Sequence, residues 1–295
     1  MGIYQLNRRI INPVEFPWGA PDIGTPPAAP AIDHGPGPTE MNYDEVTDTG
    51  YYGLVNSEDF ISGDDVATGI GLSAGSSQHS DTLWMKFYVG PAAACNAFVR
   101  RGQTAQAYVA FIPQKTIRNG MSWTDIYNAG AVFGTGDDGP YNSGSNVTQD
   151  AQVTVGEYSF KVRLATCAKE NPFPGSNDWS CSTNIGEGSE WNDLIYRVHT
   201  DSPNCTDPNE GVSSGETAYH GGPQDGDNWA NFTDNDLITA SEAGDGSYSW
   251  GQETRSTDTT RRVYRGNLGV GYFRANTSTS GVSGLGFRPV LEMIQ

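Results

Sequence analysis

Residues 245–295 read DGSYSWGQETRSTDTTRRVYRGNLGVGYFRANTSTSGVSGLGFRPVLEMIQ, and this closing stretch decides how the chain is read. An aromatic run (Tyr248, Trp250) leads through a polar loop to Arg262-Val263-Tyr264-Arg265-Gly266. A loop rich in Gly, Ser, Thr and Asn then leads to Leu285-Gly286-Phe287-Arg288-Pro289-Val290-Leu291. Short β-favouring runs bounded by Gly and Ser predict short strands around a long, permissive loop. The last strand is expected to bury Phe287, Val290 and Leu291. Pro289 cannot donate a ladder hydrogen bond, so that strand is expected at a sheet edge or beginning beyond the proline.

The whole chain follows the same style. Its 295 residues hold ample material for a core, and seven Trp set it apart from disordered chains. Thirty-seven Gly, with abundant Ser, Thr, Asn and Asp, favour many short strands and long loops, so the fold class expected is β-rich α+β. The formal net charge is −18, and only four Lys are present, at 86, 115, 161 and 169. Neutralising a phosphate backbone needs clustered cations, so a nucleic-acid partner is excluded. Residues 201–254 carry eleven acidic residues and no Lys or Arg, a span that reads as solvated surface, as a cation-binding region or as a match to a basic partner. No apolar run approaches a membrane span, and the first residues lack the apolar core of a secretory signal.

Three regions are expected. Residues 1–42 carry Pro13, Pro17, Pro21, Pro26, Pro27, Pro30, Pro36 and Pro38, which exclude helix and central strand and predict an extended arm. Such an arm becomes ordered only by lying on a surface, and Ile10, Ile11, Val14, Phe16 and Trp18 are its expected anchors, on other subunits rather than on its own globule. Residues 43–165 are expected to form a β-rich domain, with strands over 84–89 and 105–112 and a hairpin over 152–164 turned at Gly156-Glu157. A short helix over 123–129 takes Ser122 as N-cap and Asp125 as the third residue of a capping box. Residues 166–295 form a loop-rich third region. Within it, 187–198 is the strongest helix candidate, because Trp191, Leu194, Ile195 and Val198 fall at helical spacing behind Ser189.

The blocks Asp81-Thr-Leu-Trp84-Met-Lys86-Phe87, Phe111-Ile112-Pro113-Gln-Lys115, Ser122-Trp123-Thr-Asp125, Tyr158-Ser-Phe-Lys161-Val162-Arg163-Leu164, Ser189-Glu190-Trp191-Asn192-Asp193-Leu194-Ile195 and Trp229 to Phe232 occur in an order that resembles a family of bacteriophage virion proteins. The pairing of Arg262-Val263-Tyr264-Arg265-Gly266 with Gly286-Phe287-Arg288-Pro289-Val290-Leu291-Glu292 resembles the C-terminal part of formylglycine-generating-type domains, which have a C-type-lectin-like fold. The resemblance implies a non-enzymatic virion structural protein of tail-fibre or host-recognition type, made in the host cytoplasm. It would be held to other virion proteins through residues 1–42, as a homo-oligomer with a trimer favoured. Two alternatives stand beside it: a capsid decoration or head-fibre protein clamping neighbouring shell subunits, and a glycan depolymerase. In lectin-like phage proteins the segment before Gly-Phe-Arg carries receptor contacts. Loops built from Tyr, Trp, Ser, Gly and Asn combine rigid aromatic area with adaptable hydrogen bonding. The expected contacts with a host glycan or protein are therefore Trp229, Tyr248, Trp250, Asn267, Tyr272, Arg274 and Asn276.

Specific chemistries have weaker footing. Formylglycine formation needs cysteines near the C-terminus, and none follows Cys205. A serine triad lacks its Gly-x-Ser-x-Gly elbow; Gly71-Leu72-Ser73-Ala74-Gly75 comes nearest and reads as a turn. Glu187 and Glu190 beside Trp191 offer paired carboxylates for glycoside hydrolysis, against the reading of solvent-facing helix acids. The Asp-rich runs 225–228 and 234–236 lack the EF-hand order, so no cofactor is expected and calcium is the one ion they could hold. Cys95, Cys167, Cys181 and Cys205 have no zinc spacing; they are expected as buried thiols, with Cys167–Cys181 the pairing left open.

Overall fold

The structure, a computed structural model, describes residues 32–140, 146–173, 186–200, 228–238, 248–266 and 269–295. Among them thirteen strands, numbered along the chain, make two sheets. β1 (Asn42–Asp44), β2 (Thr49–Val55), β4 (Trp84–Val89), β5 (Tyr108–Pro113), β7 (Gln152–Val155), β8 (Tyr158–Leu164) and β13 (Pro289–Met293) form the larger, in the order β1-β2-β4-β5-β13-β8-β7. All its neighbours are antiparallel. β3 (Ser76–Ser77), β6 (Arg118–Asn119), β9 (Tyr248–Arg255), β10 (Asp258–Gly266), β11 (Phe273–Thr277) and β12 (Leu285–Phe287) form the other, in the order β11-β10-β9-β12-β6-β3. With few and short helices, the fold is the β-rich α+β type expected.

β4 and β5 are buried along their whole length because the larger sheet is covered on both faces. On one face Met85, Phe87, Tyr108, Ala110 and Ile112 meet Trp191, Leu194, Ile195, Val263 and Phe273. On the other, Phe60 packs on Trp84, Phe111 and Phe160 with ring centroids 4.6–5.5 Å apart. Period-two alternation sends successive β5 side chains to opposite faces, and both faces are apolar. The buried tryptophans pair their indole N–H with backbone carbonyls, as burial of that donor requires: Trp84 to Ile61, Trp123 to Gly251, Trp191 to Val270 and Trp250 to Met121, at 2.8–3.1 Å.

Several expectations hold. The 152–164 hairpin turns at Gly156-Glu157, and Ser122 and Asp125 close the capping box of the helix Trp123–Asn128. Phe287, Val290 and Leu291 are fully buried.

Others are corrected. β13 is central, not an edge strand, and Pro289 is its first residue. Leu164, opposite Pro289, spends its N–H on Val132, and its carbonyl is taken by the side chains of Gln252 and Arg163. The missing proline donor therefore leaves no orphan. The helix expected over 187–198 is shorter: a π-turn Trp191–Ile195 runs into a 3-10 turn Tyr196–Val198, with Ser189 Oγ accepting from Asn192 N–H. The loop expected over 266–284 contains β11, whose Phe273 and Ala275 face the core. Cys167 is a buried free thiol, so the pairing with Cys181 is not made.

The boundaries also move. Residues 34–295 form one compact unit, so a division at 165 does not separate two. The chain joins this unit at His34, ahead of the expected start at 43. His34 Nδ1 lies 2.8 Å from the Tyr52 hydroxyl, and the buried Lys86 ammonium donates to Pro38 O at 2.6 Å. The anchors Ile10, Ile11, Val14, Phe16 and Trp18 lie outside the described residues. Among the described residues no helix is long and apolar enough to cross a membrane.

Candidate functional site

A hairpin fixed at both ends builds a site-like surface. β1 and β2 are joined by a turn over 45–48, in which the Asp44 carboxylate accepts from Val46 N–H at 2.9 Å and Thr47 N–H at 3.3 Å. Asp residues favour such local bonds over regular structure. Asp48 closes the turn with φ +51°, a left-handed conformation that a short polar side chain tolerates. Its carboxylate accepts from Ala92 N–H and from the Tyr43 hydroxyl, both at 2.8 Å, which ties the turn to the loop after β4. Gly90 is obligatory there, since a Cβ would lie 2.0 Å from the Asp48 carboxylate.

Behind the hairpin stands Arg197, 1% exposed, from the helical segment 191–198. Its guanidinium lies 3.0 Å from Asp44, donates to Thr47 Oγ1 at 3.0 Å and covers the Trp229 ring at 3.9 Å. Trp229 in turn stacks on Tyr51 and approaches Phe87. Its backbone is zipped to the helical segment by Trp229 N–H to Arg197 O and Phe232 N–H to Val198 O. Asn228 Nδ2 adds a bond to His199 O at 2.8 Å.

These pieces enclose an open groove of about 670 Å³ lined by residues 41–46, Arg197, Asn228 and Trp229, a size suited to a small ligand. Tyr43 and Val46 are 45% and 84% exposed at its rim. Burial works to raise the Asp44 carboxyl, but the Val46 N–H and the Arg197 guanidinium outweigh it and hold Asp44 below the usual carboxylate range. Asp44 is thus an ionised acceptor at neutral pH.

Of the residues expected to touch a ligand, Trp229 lies in this groove. Trp250 and Tyr272 do not face solvent: they are 1% and 3% exposed and pack around Tyr264, which also meets Tyr248 at 4.9 Å. The aromatic content that marked them as contacts serves the core of the smaller sheet. Tyr248 is half-buried, lying over Gly284, where a Cβ would approach its ring to 2.5 Å. Arg274 and Asn276 are half-buried on β11, the sheet's edge. Asn267 lies outside the described residues.

The sequence reading missed Tyr43, Asp44 and Arg197. The pattern Asn42-Tyr43-Asp44 before a turn was available, but its pairing with residue 197 is set only by the fold. Glu187 and Glu190 form no carboxylate pair, and the reading of both as solvent-facing acids holds for Glu187 but not for Glu190. Glu190 is fully buried and held by Arg163 at 2.6 and 2.8 Å, by the Tyr108 hydroxyl at 2.8 Å and by Thr166 N–H. Glu187 pairs with Lys169 at the surface. Of the Asp-rich runs, 225–227 lies outside the described residues. In the other, Asp236 closes the capping box of the turn Asp234–Leu237. Asp234 accepts from Val270 N–H and lies 3.3 Å from His199. Among the described residues no group of three or more His, Cys, Asp or Glu could hold a metal ion.

No family model, no curated protein and no solved structure matches the chain.

Proposed function

We propose that the chain is a non-enzymatic bacteriophage virion component of tail-fibre type that contacts the host surface through the groove beside Trp229. The observation that carries this is the groove itself: an exposed Tyr43 and Val46 on a hairpin held rigid by Asp48 and by the Asp44–Arg197 pair. Rigid aromatic and polar groups bind at low entropic cost, which is what a recognition surface needs. The ordered blocks that resemble virion proteins supply the setting, and the proline-rich residues 1–42 are the segment proposed to attach to the particle.

The reading is tested by incubating labelled full-length protein with host cells and by locating it on particles with an antibody and electron microscopy. Saturable cell binding and label at the tail tip are expected. Label spread over the capsid with no cell binding would favour the decoration protein instead, and release of reducing ends from host polysaccharide would favour a depolymerase.

A further inference from the structure

The groove's chemistry narrows what it takes. Its aromatic surface comes from the exposed Tyr43, whose ring is held by donation of the hydroxyl to Asp48, while the half-buried Trp229 beside it is covered by Arg197 and stacked on Tyr51. Its exposed acceptors come from Asn42 and Glu45, since the Asp44 carboxylate is taken up by Val46 N–H, Thr47 N–H and Arg197. The one cation among its described lining residues, Arg197, is buried and already neutralised by Asp44. An acidic ligand would meet the exposed Glu45 carboxylate and no uncommitted positive charge among the described lining residues, a like-charge arrangement that selects against it. A hydroxyl-rich ligand would find carboxylate and amide oxygens, each with room for more than one O–H donor. It would also find an aromatic face suited to the C–H side of a sugar ring. A peptide added as a further strand would find an edge only three residues long, since β1 is Asn42–Asp44.

We propose that the groove binds a non-acidic saccharide, neutral or amine-bearing, and discriminates against sugars carrying carboxylate, sulfate or phosphate, a deepening that rests on the adhesion reading above. The test is full-length protein on an array of bacterial and synthetic glycans with neutral, amino, uronic, sialylated and phosphorylated members. The best neutral or amino ligand is then titrated by calorimetry. Neutral or amino members are expected to bind at least about tenfold tighter than acidic ones of the same length. Tyr43→Ala is expected to weaken binding by about tenfold or more, the effect of removing a binding hot spot. Tyr43→Phe, which keeps the ring but loses the bond to Asp48, should fall between the parent and Tyr43→Ala. Thermal unfolding of both variants checks that each remains folded. Acidic glycans binding best, or Tyr43→Ala binding like the parent while folded, would overturn the proposal. So would adhesion to host cells with no saccharide bound, which points to a protein receptor and leaves the adhesion reading standing. Loss of adhesion to cells as well would remove both.

Discussion

At the scale of single residues, the molecule spends its charges inside. Arg163 is fully buried and bridges Glu190 (2.6 and 2.8 Å) and Glu292 (2.8 Å). Arg101 reaches Glu292 at 3.2 Å and Lys161 approaches it at 3.7 Å. Burial alone would raise both carboxyls, but Arg163 holds each below the usual range. Removing one member strands its partners in a dry interior, so Arg163→Met should cost about 3–5 kcal/mol in urea unfolding. A Glu190→Gln protein should lose less, since the amide still accepts from Tyr108. Equal losses from the two changes would sink this reading of the network. Glu253 is the opposite case. It is buried against Cys167 N–H with no ion pair among the described residues to hold it, and burial pushes its carboxyl from 4.5 up to about 7. A raised acid binds its proton more tightly when folded, so stability is full below about pH 4.5 and falls as pH rises towards 7. The drop is about 3 kcal/mol at most. In Glu253→Gln this contribution vanishes, and unfolding free energies measured between pH 5 and 7 should show a flatter profile than the parent's.

At the scale of elements, the sequence was legible wherever local chemistry decides the outcome. Ser122 with Asp125 marks a helix start, and Gly156-Glu157 marks a turn, because capping and turn bonds are made within a few residues. Ser122→Ala should therefore lower stability by about 1 kcal/mol, read as a small fall in melting temperature, with the fold intact. Legibility ended where distant strands decide. Tyr272 and Phe273 read equally as a recognition loop or as core-facing turn residues because Gly, Ser and Asn surround them, and pairing of β11 with β10 over 261–265 turns Phe273 and Ala275 inward. Pro289 looked like an edge signal because the side-chain donors that spare it, Gln252 and Arg163, are remote in sequence. The Gly-Phe-Arg-Pro run is a crossing between sheets. Gly286 has no room for a Cβ, which would lie 2.7 Å from Arg118 O and 2.8 Å from Thr116. Arg288 then donates to Pro113 O at 2.7 Å and Leu237 O at 3.0 Å. The motif that resembles the close of a C-type-lectin-like domain serves, in this chain, as a joint between the two sheets.

At the scale of the whole molecule, that joint determines how the chain unfolds. The last strand lies between β5 and β8, pairing Leu291 with Phe111 and with Val162, so the larger sheet is complete only when the final residues arrive. Glu292 on the same strand neutralises Arg163 and Arg101, which otherwise face each other's charge in the core. A fragment ending near residue 165 would expose two open strand edges and leave two buried arginines without that carboxylate. Both conditions oppose folding more strongly than local hairpins favour it. The strand is also non-local by more than a hundred residues from each neighbour, so its pairing is entropically late and should make folding slow. Residues 34–295 are thus expected to unfold in one calorimetric transition whose van't Hoff and calorimetric enthalpies agree. Deletion of residues 285–295 is expected to abolish that transition instead of merely lowering its midpoint. Two separable transitions, or a cooperative melt from residues 34–165 alone, would mean that the halves fold independently and that the closing strand only decorates a finished sheet.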